Sequence, residues 1–145
     1  MNPIIIILIV PIFFIVLWGF VSLVLSITSG WISLSNNYAI EDKYTGIYEN
    51  GHSATIGIVN YKYCIKIGLQ ENKLFLDVMA IFKIGHKALL IPLEDITAKE
   101  KEIIFYRFVE LSVKDKPLIK IRLSKNALEI LENDNSIGWK YKRKE

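Results

Sequence analysis

Hydrophobic and polar residues follow two different rhythms along this chain. From Ile4 to Ile27 it reads IIIILIVPIFFIVLWGFVSLVLSI, 24 consecutive positions without a charge. At about 1.5 Å per residue, a helix of this length crosses a hydrocarbon core of roughly 30 Å with some tilt. Pro11 lies in its N-terminal half, where a membrane helix tolerates a kink.

From Ser53 onward the period shortens to two. In YKYCIKIGL, the alternation sets Tyr61, Tyr63, Ile65, Ile67 and Leu69 on one face and Lys62, Cys64, Lys66 and Gly68 on the other. That pattern predicts a half-buried strand. QENK then turns the chain into LFLDVMAIF, with Leu74, Leu76 and Val78 opposite Phe75 and Asp77. KIGHK forms the next turn, followed by the apolar run ALLIPL, then EIIFYRF and VELSV, the turn KDKP, and LIKIRL with Ile119, Ile121 and Leu123 on one side. Ser124 is an N-cap for KNALEILEND, where Ala127, Leu128 and Leu131 form an apolar stripe and Asn133 to Gly138 stop the helix.

These elements divide the chain into four parts: a transmembrane anchor over 1–30, a juxtamembrane linker over 31–52, a β domain with its C-terminal helix over 53–138, and a basic tail over 139–145. Trp31, Leu34 and Tyr38 recur at helical spacing just past the anchor. Two arrangements fit them: an interfacial helix with its aromatic rings at headgroup level, or a linker whose apolar residues pack on the domain. Six or seven short strands and one terminal amphipathic helix give a mainly β (α+β) domain, a small roll whose open end the helix plugs.

Charge sharpens this division. None of the 18 Lys/Arg or 15 Asp/Glu precedes Glu41, and the net charge of +3 is too slight for a nucleic-acid surface. A cleaved signal peptide needs a positive n-region and an apolar stretch of about 7–15 residues. Met1-Asn2-Pro3 has no charged side chain and the apolar run is longer, so a retained single-pass anchor is expected, with the bilayer met through residues 4–27. All basic residues lie on the C-terminal side, which places the domain in the cytoplasm, at an inner membrane if the chain is bacterial. The single Cys64 and the absence of an Asn-x-Ser/Thr sequon fit a reducing compartment.

LLIPLEDI, Leu89 to Ile96, resembles a pattern of bacterial pleckstrin-homology-like domains, where Ile-Pro ends a strand and Asp-Ile starts the next. The wider chain resembles a family of small uncharacterised bacterial single-pass membrane proteins. The matching residues are Gly30-Trp31, Leu34, Tyr38, Tyr61 to Cys64, Gly85-His86 and Leu90-Ile91-Pro92. Lys87-Ala88 and Leu93 depart from the prolines and tryptophan expected there. The resemblance implies a pleckstrin-homology-like roll and this topology, and it implies no activity.

The chemistry-bearing residues are few. His86 follows Gly85 in a turn, and no acid is spaced to make a dyad with it, so it reads as a turn residue. His52, His86 and Cys64 have no metal-ligand spacing, Gly51 to Thr55 lacks the second glycine of a nucleophile elbow, and no phosphate loop occurs; neither a metal nor a cofactor is expected. Lys83, His86 and Lys87, with the tail residues Lys140, Lys142, Arg143 and Lys144, form a candidate basic surface for anionic lipid, and Trp31 and Tyr38 are candidate interfacial aromatics. The function expected is a non-catalytic membrane-anchored binding or scaffolding module whose partner is a membrane protein or an anionic headgroup. The alternatives are a structural subunit of a membrane complex and a membrane-bound hydrolase or transferase using His86 or Cys64.

Overall fold

The computed structural model describes residues 1–103 and 106–124. Helix α1 runs Pro3–Ser29, with Pro3 at its first position, the Asn2 side chain accepting from the Ile4 N–H, and Gly30 ending it in the left-handed conformation. Proline at N1 and a left-handed glycine after the last turn are what a stable helix needs at its two ends. The helix continues through Pro11. It is long and apolar enough to cross a bilayer, and most of its surface is uncovered. The short helix α2, Trp31–Tyr38, follows after Gly30.

Seven strands come next: β1 Tyr48–Ile56, β2 Val59–Gln70, β3 Lys73–Val78, β4 Leu89–Pro92, β5 Ile96–Ile103, β6 Tyr106–Val113 and β7 Lys116–Ser124. They form one antiparallel sheet in the order β4-β3-β2-β1-β7-β6-β5. The edge strands β4 and β5 are joined by only Leu93–Asp95. In a flat sheet of this order the two edges would stand about 29 Å apart. The connection reaches about 14 Å at full extension. The sheet is therefore rolled almost into a barrel, and its concave side encloses Ile56, Ile65, Leu76, Ile91, Leu111 and Ile121, all without exposed surface. The Ala39–Leu89 bridge and the Ile40 N–H to Ala88 carbonyl bond cover the β4 edge, removing an open template for strand addition.

Several local expectations change. Strand β1 begins at Tyr48, inside the stretch read as linker, and that stretch also contains α2. Strand β2 does not alternate throughout, because Tyr63 adopts φ 56 and is 75% exposed while Cys64 turns inward. The pairings His52–Ile65 and Ala54–Tyr61 bracket this bulge, and the Ser53 hydroxyl secures it by accepting the Tyr63 N–H at 2.9 Å. The bulge re-phases the strand so that Tyr61 and Ile65 both face inward. MAIF does not prolong β3 but forms a 3-10 turn at Ala80–Phe82. The break in EIIFYRF falls inside it, since β5 ends at Ile103 and β6 starts at Tyr106. The expected C-terminal helix, like Lys140, Lys142, Arg143 and Lys144, lies outside the described residues.

Two contacts set the helices on the roll. Gly57, at the β1–β2 turn with φ 58, lies so close that a Cβ there would sit 2.5 Å from the Ser29 carbonyl oxygen. Tyr38, at the far end of α2, brings its hydroxyl within 3.2 Å of Asp95 and 3.1 Å of Asp115, pinning α2 to the β4–β5 and β6–β7 connections. Burial and these carboxylates push the Tyr38 phenol up to about 12, so it stays a donor. Gly57→Ala should destabilise the protein by about 2 kcal/mol, since it adds left-handed strain to a backbone clash. Thermal unfolding of the detergent-solubilised protein measures this, with Gly51→Ala, where the added methyl meets nothing within 4 Å, separating the strain from the clash.

Candidate functional site

On α1 the buried positions are Gly19, Ser22, Ser26 and Ser29. Steps of three and four residues keep them on one face, and small residues there let another backbone approach closely. That backbone is the Met79–Lys87 loop. A Cβ on Gly85 would stand 3.1 Å from the Ser26 Cβ and 3.3 Å from the Leu23 Cα, so glycine is required by both space and its φ of 82. The Ser22 hydroxyl lies 2.9 Å from the Phe82 carbonyl and 2.8 Å from the Ile84 carbonyl, with one proton between them, and the Ser26 hydroxyl donates to the Gly85 carbonyl.

His86 lies at the centre of this seam and has no exposed surface. Its Nδ1 is 3.3 Å from the Ile84 carbonyl oxygen and 3.4 Å from Ser22 Oγ, and its Nε2 is 2.8 Å from the Tyr61 hydroxyl. A carbonyl can only accept, so Nδ1 carries the ring proton and Nε2 accepts from Tyr61. The Tyr61 hydroxyl is also 3.0 Å from Ser29 Oγ. Trp31 closes the cluster from α2. Its ring meets His86 edge-on at 5.3 Å and Tyr61 at 5.9 Å, and its indole N–H donates to the Lys87 carbonyl at 2.8 Å. Among the described residues, no buried side-chain polar atom lacks a hydrogen-bond partner.

His86 is therefore not part of a basic surface, because the helix covers it. Trp31 and Tyr38 likewise face the roll rather than lipid headgroups, at 0% and 6% exposure, because α2 lies with its aromatic stripe against the sheet. Lys83 and Lys87 are exposed as expected, and Lys83 Nζ meets Asp77 at 2.5 Å. Cys64 is buried, and burial pushes its thiol up, away from thiolate chemistry. His52 sits in β1 beside Glu49 at 3.0 Å.

A histidine, a tyrosine and three serines have the composition of nucleophilic machinery, but their geometry differs from it. A nucleophilic serine gives its proton to the histidine. Here the Ser22 and Ser26 protons go to loop carbonyls, the Ser29 hydroxyl bonds Tyr61 rather than the ring, and the ring is sealed from solvent. Among the described residues no group of three His, Cys, Asp or Glu side chains is placed to hold a metal.

Next to the seam an open cleft of about 540 Å³ runs outward over β2 and β3. Lys83 and Lys87 from the loop, Lys66 from β2, and Tyr44, Tyr48 and Phe75 line it. Tyr44 stacks on Phe75 at 3.8 Å and 2°, covering the outer face of β3, and Lys66 Nζ lies 5.4 Å from the Tyr48 ring centre. Lys43, Lys66, Lys83 and Lys87 outnumber Glu41, Asp42 and Asp77 in the lining, so beside the aromatic faces the cleft favours an anionic, partly apolar guest.

The serine signal stood in the sequence. Gly19, Ser22, Ser26 and Ser29 share one helical face of an otherwise apolar segment, which marks the side that leaves lipid.

Burial lowers the His86 imidazole below its ordinary 6.5, with the Ile84 and Phe82 carbonyls opposing. The unfolded chain thus takes up a proton near 6.5 and the folded chain only at lower pH. Stability from this site is complete above 6.5 and is lost as pH falls through the folded value. Thermal unfolding from pH 7.5 to 5 should show this loss, and His86→Gln, less stable at neutral pH, should show a flatter profile. No family model, no curated protein and no solved structure matches this chain.

Proposed function

We propose that this chain is a single-pass membrane protein whose roll acts as a non-catalytic binding module at the bilayer surface, taking anionic lipid headgroups into the Tyr44–Lys66–Lys87 cleft. The observation that carries the reading is the position of the cleft: it opens from the same loop that α1 grips through Ser22 and Ser26. A helix emerging from a bilayer and bonded to that loop holds the cleft beside the headgroups. Tethering keeps the local concentration of headgroups high, so modest contacts suffice. Each lysine near an anionic surface contributes about 1 kcal/mol.

The seam also supports a retained anchor. Removing α1 would strip the Phe82 and Gly85 carbonyls of their donors and open His86 and Tyr61. The other faces of α1 are apolar and exposed, as a lipid-facing helix requires. A cytoplasmic roll follows from the basic residues, all of which lie after α1. The division into one meander of β1–β4 and a second of β5–β7 supports a pleckstrin-homology-like roll. The sealed imidazole and the serines committed to carbonyls support a binding role over catalysis.

Full-length protein in nanodiscs tests this reading. Lipid bound after gentle extraction should be enriched in anionic over neutral species, with release at high salt. The double variant Lys66→Gln/Lys87→Gln should weaken that preference by about thirtyfold. Equal retention of neutral and anionic lipid would exclude the headgroup site.

A further inference from the structure

The loop Met79–Gly85 carries a contradiction on a water-facing surface. Its outward side chains Met79, Ile81 and Ile84 are apolar and 43%, 56% and 54% exposed. Its carbonyls, by contrast, each meet a donor within the protein. The Met79 and Ala80 carbonyls accept from the Phe82 and Lys83 N–H groups, and Lys83 accepts from the His86 N–H. Ile81 accepts from the Trp18 indole at 2.5 Å, Phe82 from the Ser22 hydroxyl at 2.9 Å, Ile84 from the His86 Nδ1–H at 3.3 Å, and Gly85 from the Ser26 hydroxyl. Every carbonyl from Met79 through Gly85 therefore has a donor within the protein.

Solvent satisfies the carbonyls of an ordinary surface loop, so such a loop needs no such provision. A loop at membrane depth needs it, because no water is there to bond exposed backbone groups. The position agrees. Trp18 lies about 13 Å before Ile27 along the helix axis, within the apolar run. At that level α1 itself exposes Leu17, Phe20, Val21 and Val24, and the loop continues this apolar surface. The Phe82 ring packs on Trp18 at 5.4 Å between centres, filling the space between loop and helix. The one charge of the loop, Lys83, reaches back to Asp77 at the end of β3.

We infer that Met79–Gly85 is a second membrane-contacting element, a wedge that inserts Met79, Ile81 and Ile84 among the acyl chains beside α1. The inference rests on α1 spanning the bilayer, as proposed above, and goes beyond it. With two points of entry the roll cannot swivel about the helix axis, and the cleft keeps one orientation toward the headgroups. Lys83 then sits at headgroup depth, where a long side chain keeps its ammonium near water.

Depth-dependent fluorescence quenching of the full chain in liposomes tests the wedge. In a Cys64→Ser background, single cysteines replace Ile81, Ile84, Ile12 and Lys73 and carry an environment-sensitive dye. Lipids bearing a quencher below the headgroup should remove most of the emission at 81, 84 and 12, with blue-shifted spectra, and leave 73 unchanged. Quenching at 12 with none at 81 and 84 overturns the wedge and leaves the spanning helix standing. A blue shift at 81 and 84 without lipid quenching also overturns it, since a protein partner then covers the loop. Absence of quenching at 12 removes both the spanning helix and the wedge.

Discussion

Everything in this structure depends on side-chain hydroxyls of α1 serving as hydrogen-bond donors to a backbone that has no strand partner. The loop after β3 leaves the sheet at Val78 and returns at Leu89. Between them, Ser22, Ser26 and the Trp18 indole supply donors that a neighbouring strand would otherwise supply. Because these groups lie in surroundings of low polarity, removing one leaves a carbonyl unsatisfied, at a cost of about 1–3 kcal/mol. The same seam buries His86 against Tyr61, so the imidazole stays neutral and its ring joins helix, loop and sheet. One polar layer thus makes an apolar helix and a β roll into a single body.

Much of the fold could be read in the residues. The uncharged run to Ile27, the period of two in LIKIRL, the glycine turn at Gly85 and the strand start at Ile96 all follow from local chemistry, and each appears where local chemistry puts it. What local patterns did not reveal were the non-local terms. The Tyr63 bulge arises because β2 must hold both the His52 and Ala54 pairings, and the sequence KYC carries no sign of it. Trp31 and Tyr38 suit a headgroup layer and a protein core equally well by composition, and only the rolled sheet decides for the core.

His86 shows the same limit most sharply. Its sequence neighbours make it a turn residue, and its partners come from positions 22 and 61. No dyad spacing could reveal them, since the bonds cross 64 and 25 residues of chain. The serine stripe in α1 was the one local sign that something polar would press against the helix. Three hydroxyls on a single face of a segment otherwise built for lipid must find acceptors, and a loop rich in carbonyls provides them.

A rigid joint gives the helix a role beyond its own length: it fixes how the roll is oriented relative to the helix. Electron–electron distance measurements in nanodiscs test that joint most directly, with spin labels at Ile12→Cys on α1 and Lys73→Cys on the far end of the roll in a Cys64→Ser background. A single narrow distribution is predicted for this protein, broadening when Ser22 and Ser26 are replaced by valine. A broad distribution before any change to the serines would contradict rigid coupling between helix and roll.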